Sequence, residues 1–589
     1  MASTLQLRGY IHSNLKLKEA AAWLHVTVTD SNDDLFVLNA KVQQHAKDHQ
    51  LPNRNSKFTF YKPRDLKFAP LESLAERVKS WLLDHFNEAL HPLLFGTVQE
   101  IWENEKPSTK VDFIAVDEQV LEELQLLHNL QDSALYPRVP YIQEHLFTIR
   151  SFENVPSPSY CSHHPEKVLD DPNLLCAGRP VESYGPSNAL FDPRLATLIH
   201  KLGNLESADP PTHEMLGFAE RLVTASAKVY SSENLREQAV IDLLKIMFPK
   251  GEYQTSLTHH TAKPEAFWFH QLIFKLGSAG DPQVLVLVDY MKILDDKALS
   301  GPLKGRSNCP CVLLTLAGTE LKISTAIITN VVHFQPLYSE DLRGGHDLAY
   351  RLVRLARALQ AVKDTFNELS SFYTSIKADP NSLPEDGTHI FPNPVSTAAA
   401  GPAEPPLLDT LGLTFLHKLS RNGGQAANND QAREANMSHA IYVAQSCETP
   451  SIREGLTTPV APLGTKVVVK FVQRYNTEAH TILAKENLAP KLYHHCRVLG
   501  EYTMVVMDFV DCKTAWDLEK MRIQVMEQTV YEDVRKAIKH LHDQNIVFGD
   551  LRSPNIMVHG NNRAVLIDFD WAATEGEGRY PPRLSTEVE

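Results

Sequence analysis

The stretch Asn545–Trp571 reads NIVFGDLRSPNIMVHGNNRAVLIDFDW. Ile546-Val547 and Ile556-Met557-Val558 are short apolar runs on either side of a polar loop, and Ala564-Val565-Leu566-Ile567 follows a turn at Gly560-Asn561-Asn562. The pattern predicts a loop, a strand, a hairpin turn and a second strand. Asp550 lies in the first loop, Asn555 at its far end and Asp568 just past the last strand, so the hairpin should bring two acids and an amide to one edge. One acid of such a set can take the proton of an attacking hydroxyl. The other acid and the amide oxygen suit Mg²⁺ held against ATP phosphates.

The spacing D-x-x-x-x-N, followed by a strand and D-F, resembles the catalytic and metal-binding loops of the protein-kinase-like superfamily. The resemblance implies a bilobal fold, ATP and Mg²⁺ as cofactors, and phosphoryl transfer to Ser or Thr of a protein substrate. Asp550 would be the base, and Asn555 and Asp568 the metal ligands. Two departures point to an atypical branch: Phe548-Gly549-Asp550 stands in place of His-Arg-Asp, and Asp568-Phe569-Asp570 in place of Asp-Phe-Gly. Without the arginine, switching by a phosphorylated activation loop is not expected. GDLRSPNI with IDFDWA is similar to the kinase-like domains of fungal crinkler-type proteins.

Upstream, the β-branched run Lys466–Val472 carries Lys470, which resembles the strand lysine that contacts the α- and β-phosphates. Glu478 lies eight residues on, in a stretch where Ala479, Ile482 and Leu483 form a helical stripe, and would be its ion-pair partner. Tyr502–Val510 reads as a strand entering an interlobe hinge. Adenine would pair there with backbone groups of Met507, Asp508 and Phe509. Val530–His542 reads as an amphipathic helix leading to the catalytic loop.

At 589 residues the chain has room for two to four domains. With 43% hydrophobic and 22% charged residues its composition is that of an ordinary globular protein, and its net charge of −14 does not favour nonspecific nucleic-acid binding. The seven cysteines are dispersed, and Cys309-Pro310-Cys311 lacks the two-residue spacer of a zinc knuckle or redox pair, so reduced thiols are expected. No signal-peptide pattern and no membrane-length apolar run is visible, which gives a cytoplasmic or nuclear location and no membrane partner as expectations.

Residues 1–150 read as a mixed α/β region, with strands at Trp23–Val28 and Leu35–Leu38 and a helix at Leu71–Leu90. The run FTFYKPRDLKFAPLESL resembles the ubiquitin-like head of crinklers. Frequent Pro and Gly predict an extended connector over 151–210. Residues 211–345 read as a further α/β domain similar to the restriction-endonuclease-like domain of some fungal crinkler-type proteins. In that family a Glu-x-Lys precedes Gly-x-Gly-x-Asp-Pro and its acid binds the metal for phosphodiester hydrolysis. Lys275 and Gly280-Asp281-Pro282 are present here, but Ile273 occupies the acid's position, so the domain is read as degenerate, used for packing or partner binding. It is the one place where a nucleic-acid partner could act.

Residues 346–378 predict one long amphipathic helix, Leu348 to Leu369 recurring at threes and fours, packed on its own domain. Pro, Ala, Ser and Gly over 379–406 predict a linker, and the kinase-like domain spans 407–589. Its first strands should lie at Leu413–Leu419 and Ala440–Ala444. Gly423-Gly424 is the glycine pair near the expected phosphate-covering loop, and only 18 residues follow Trp571, which implies a reduced C-lobe. The fold class expected is therefore multidomain α+β with a bilobal kinase-like C-terminal domain. Two functions fit: an ATP- and Mg²⁺-dependent phosphotransferase, or a pseudokinase and pseudonuclease scaffold acting as an effector or host-conflict protein.

Overall fold

The computed structural model describes residues 5–12, 21–28, 42–44, 58–61, 113–117, 138–169, 174–179, 184–248, 266–268, 272–277, 281–295, 303, 305–379, 386–398, 405–419, 439–520, 527–559 and 562–579. They fall into two compact units, Met1–Val139 and Pro140–Glu589. The first contains β1 (Leu5–His12), β2 (Ala21–Val28), β3 (Phe58–Tyr61) and β4 (Phe113–Asp117) in the order β2-β1-β4-β3, with β1 parallel to β4 and the outer pairs antiparallel. The strand expected at Trp23–Val28 lies within β2. The strand expected at Leu35–Leu38 and the helix expected at Leu71–Leu90 fall outside the described residues.

The second unit opens with α1 (Val139–Ser151) and the short β5 (Leu175–Cys176). The described residues of the predicted connector include folded structure: Asp192 caps α2 (Pro193–Gly203), its Oδ1 accepting from the amides of Arg194 and Leu195 at 2.9 and 3.2 Å, and Leu190, Leu195, Ala196 and Leu198 are fully buried. The Asp192-Pro193 pair is an N-cap followed by proline in the first turn. Helices α3 (His213–Ala227) and α4 (Glu233–Met247) follow.

A six-stranded sheet forms the centre, with β6 (Ala266–Trp268), β7 (Leu272–Gly277), β8 (Cys311–Ala317), β9 (Glu320–Ile328) and β10 (Val332–Asp341) in the order β5-β10-β9-β8-β7-β6. β7 and β8 are parallel, so a crossover must join them, and α5 (Pro282–Asp295) supplies it. All residues of α5 from Val284 to Leu294 are buried. A helix covered on every side shows a continuous apolar run without a polar face, a pattern that a buried strand shares. The expected long helix is α6 (Leu348–Ala378), whose stripe of Leu355, Leu359, Val362, Phe366 and Leu369 is buried within the unit against α2 and α3.

Of the segment read as a linker over 379–406, the described residues 386–398 are built in. Residues 386–398 form a strap in which Ile390 and Phe391 are buried, Asn393 N donates to Leu190 O at 2.6 Å, and Thr397 N donates to Arg497 O at 3.0 Å. Composition suggested a free chain, but two apolar side chains and edge-strand pairing are enough to fix it.

The C-terminal part begins with an antiparallel sheet of β11 (Leu413–Lys418), β12 (Ala440–Ser446), β13 (Lys466–Val472), β14 (Leu492–Val498) and β15 (Tyr502–Asp508) in the order β11-β12-β13-β15-β14. Helix α7 (Thr477–Lys485) lies between β13 and β14 in sequence. Then come β16 (Lys513–Thr514), α8 (Ala515–Lys520), α9 (Gln528–His542), β17 (Ile546–Val547), β18 (Ile556–Val558), β19 (Ala564–Leu566) and β20 (Ala573–Thr574), with β18 and β19 paired as the expected hairpin. Gly423-Gly424 lies outside the described residues. No helix among those described is long and apolar enough to cross a membrane.

Candidate active site

The polar loop between β17 and β18 is shaped by Gly549, which has φ +81; a Cβ there would meet Trp571 O at 2.4 Å. Only glycine fits so close to a neighbouring backbone at positive φ, which accounts physically for Gly-Asp where the common pattern has Arg-Asp. Asp550 follows. Its Oδ2 accepts from Asn555 Nδ2 at 2.7 Å, its carbonyl accepts from the same nitrogen at 3.0 Å, and its Oδ1 is 3.0 Å from Arg552 Nε. Asn555 is buried at 5% exposure, and its carbonyl accepts from Ile567 N at 3.0 Å, tying the loop to the strand that leads to Asp568.

Asp568 has φ +70, a left-handed conformation that aspartate tolerates better than most residues but that carries strain. Lys470, in the middle of β13 and 6% exposed, donates to Asp568 Oδ1 at 2.8 Å and to Asp570 Oδ1 at 2.7 Å. Burial alone would lower the Lys470 pKa, but the two carboxylates outweigh it and hold the ammonium above its ordinary value. Burial likewise works to raise Asp568, and Lys470 prevails to keep it below the usual carboxylate range. Asp570, raised chiefly by burial and further by the charge of Asp568, is pushed up to about 7.

Phe569 is fully buried between these acids, stacked on His480 with ring centroids 4.8 Å apart and edge-on to Phe548 at 5.4 Å. Pro490 O can only accept, so His480 Nε2 donates to it at 2.7 Å, and His480 Nδ1 accepts from Tyr475 OH at 2.8 Å. Asn476 caps α7 through Ala479 N at 2.9 Å, while its own amide donates to Phe569 O at 3.1 Å. The start of α7 is thereby hydrogen-bonded to the loop that carries Asp568.

The expected partners are thus brought together in part. Lys470 meets Asp568, and Asp550 meets Asn555. Glu478 sits exposed in the first turn of α7 and is not among the partners of Lys470, because the inward face of that helix is Ala479, His480 and Leu483. At the expected hinge Met507 is buried, and the amides of Asp508 and Phe509 donate to Lys491 O at 2.9 Å and Lys466 O at 3.4 Å. Those two amides are therefore used within the lobe. Arg552 and Asp570 carry no role in the sequence reading, although a charge two residues after each candidate aspartate is a visible signal.

The donor set suits a hard cation. Among the described residues no group of three or more His, Cys, Asp or Glu gathers around one point. A divalent ion here would rest on oxygens of Asn555 and Asp568 and on the nucleotide's own phosphates, the sparse protein ligation that Mg²⁺ accepts.

The family model described as the RIO domain matches residues 467–578. The C-terminal region therefore carries a RIO-type domain of the atypical protein-kinase-like phosphotransferase superfamily, with a kinase-like fold. The chain is 28% identical over 120 residues to serine/threonine-protein kinase PAK 5 of Rattus norvegicus, covering 19% of this chain and 17% of that protein. It is 26% identical over 132 residues to serine/threonine-protein kinase PAK mbt of Drosophila melanogaster, covering 21% and 20%. The chain thus spans at most about a fifth of the length of these relatives. Among solved structures, the Cydia pomonella granulovirus kinase PK-1 aligns with a TM-score of 0.20 and 16% identity over 28% of this chain and 53% of that one.

Proposed function

We propose that the C-terminal domain transfers a phosphoryl group from ATP to a serine or threonine hydroxyl of a protein. The observation that carries this reading is the buried Lys470 of one sheet meeting Asp568 of the metal loop at 2.8 Å, beside a loop in which Asp550 and Asn555 are hydrogen-bonded. Asp550 takes the acceptor proton. Arg552, 3.0 Å from it, steadies the carboxylate as the base accepts that proton. Lys470 draws the phosphate oxygens into line. Mg²⁺, held by Asn555 and Asp568, would neutralise charge on the transferring group. Adenine would be read by carbonyls at Met507–Phe509 and by amides beyond them.

The test is nucleotide binding by the full chain. A ligand that binds the native state alone adds about 2.7 kcal/mol at a hundred times its Kd, so Mg²⁺–ATP should raise the melting temperature, with Mg²⁺ alone as the comparison. No shift at millimolar nucleotide would leave the scaffold reading in place.

The middle domain we read as restriction-endonuclease-like in arrangement and without nuclease chemistry. The β6–β7 hairpin, the α5 crossover and the parallel β8 support the likeness. Lys275, the residue that would assist a metal, forms a buried ion pair with Asp289 at 3.0 Å, and Ile273 offers no ligand.

A further inference from the structure

A buried lysine in a kinase-like sheet must be held by an anion, both to offset desolvation and to point its ammonium at the phosphates. The helix that would ordinarily offer that anion cannot do so here. Of the two glutamates at α7, Glu478 is exposed in the first turn, and Glu486, at the C-cap, lies 3.6 Å from Lys536 and 3.9 Å from His540. The inward face of the helix presents His480 instead, whose ring nitrogens are both engaged, one by Pro490 O and the other by Tyr475 OH. Tyr475 stands with its ring 5.8 Å from Lys470 Nζ and brings no charge there, since burial pushes its hydroxyl well above the ordinary tyrosine pKa.

The second carboxylate of Lys470 comes from Asp570, the residue standing where the common Asp-Phe-Gly pattern has glycine. The left-handed Asp568 turns the loop so that residues 568 and 570 address the same ammonium while Phe569 goes to the core. We propose that Asp570 is the positioning residue for Lys470, doing from within the metal loop what a helix glutamate would do from α7. An ammonium has three donors. With one held by Asp570, Lys470 keeps its place when Asp568 turns to a cation, and the others serve phosphate. The anchor then belongs to the same loop as Asp568, to which Asn476 also ties the start of α7. This inference rests on the phosphotransferase reading for its purpose, but the pairing can be tested without nucleotide.

The experiment is a pair of double-mutant cycles in the full chain, Lys470→Met with Asp570→Asn and Lys470→Met with Glu478→Gln. In the absence of nucleotide, the melting-temperature losses of Lys470→Met and Asp570→Asn should be strongly non-additive, while those of Lys470→Met and Glu478→Gln should add, as separate sites do. With Mg²⁺–ADP as probe, Asp570→Asn should weaken binding about ten- to a hundred-fold in the otherwise native chain and less than about twofold in the Lys470→Met background. Asp570→Gly, which installs the residue of the common pattern, is the second variant and should behave as Asp570→Asn does. Additive losses for Lys470 and Asp570, or coupling of Lys470 to Glu478, would overturn the proposal. Failure of the native chain to bind Mg²⁺–ADP would count against the phosphotransferase reading alone, because the nucleotide-free cycles still decide which acid holds the lysine.

Discussion

Replacing Asp550 with asparagine separates chemistry from binding at this site. The carboxylate accepts from Asn555 at 2.7 Å and lies 3.0 Å from Arg552 Nε. Arg552 is about half exposed, at 47%, so its pair with Asp550 contributes little once solvent screening is counted. The contact to Asn555 falls from charge-assisted to neutral, a loss of about 1 kcal/mol. Together the change should cost about 1–2 kcal/mol of folding stability. Against a typical total of about 5–15 kcal/mol, that leaves the chain folded. Removing a positioned general base should lower turnover about 10²- to 10⁴-fold, equivalent to about 3–5 kcal/mol in the barrier. The chemical effect therefore exceeds the structural one. Mg²⁺–ATP affinity, by calorimetry, should stay within a few fold, because the proposed role of Asp550 is toward the acceptor and not the nucleotide. Asp568→Ala should weaken both affinity and turnover, since it removes the proposed metal ligand and one partner of Lys470. Phosphoryl transfer by Asp550→Asn at the native rate, measured on a substrate or as autophosphorylation, would refute the assignment of the base.

Gly549→Ala should lower the melting temperature and abolish transfer: a left-handed alanine costs about 1–2 kcal/mol, and its Cβ would overlap Trp571 O at 2.4 Å, displacing Asp550; a fully active, equally stable variant would contradict this. His145 is fully buried, its Nδ1 bonded to Thr329 O at 2.7 Å, and burial lowers its pKa to about 4. Because the folded value lies below the unfolded one, the unfolded chain takes up the proton first as pH falls below about 6.5, and stability is lost down to about 4. The destabilisation caused by His145→Asn at pH 7.5 should therefore shrink by about 2 kcal/mol at pH 5, and a penalty that does not change with pH would show that the ring titrates alike in the folded and unfolded chain. Phe391→Ala, which deletes a buried ring stacked 6.1 Å from Phe415, should cost about 3–5 kcal/mol and open residues 387–396 to protease, whereas the native strap should resist; cleavage there in the native chain would show the strap to be loose. Residues 211–345 should show no Mg²⁺-dependent DNA cleavage, and cleavage abolished by Lys275→Ala would reverse that reading.

Much of the C-terminal fold was legible because its elements obey local rules. The β18–β19 hairpin, the β-branched β13 and the strand at β15 each announce themselves by period and turn residues, and their order along the chain resembles one known architecture. The strap and α2 were not legible for a common reason. Pro and Gly content describes how a chain moves when nothing holds it, and it carries no information about two buried side chains or a single edge-strand pairing. Asp192-Pro193 and Ile390-Phe391 were the readable residues, and both were outweighed by their neighbours' composition.

Within the site the division is sharper. Lys470, Asp550, Asn555 and Asp568 could be picked out because each sits at a fixed distance from a strand end, so local register alone fixes its place. The partner of Lys470 is not a local property. It depends on which face of α7 turns inward, and Glu478 was chosen because it lies near the lysine in sequence on a helix with an apolar stripe. Yet Ala479 and Leu483, four residues apart, define the buried stripe, and residue 478 falls one position off it, in the exposed first turn. The same stripe places His480 inward, so a strict helical register already disfavoured the glutamate. What the register could not supply was the replacement. Asp570 reaches Lys470 because Asp568 adopts a left-handed conformation that no pattern of apolar residues encodes. An acid in place of glycine two residues beyond a metal-loop aspartate is therefore the sequence mark to weigh, whenever the helix that should anchor the lysine has no inward-facing carboxylate.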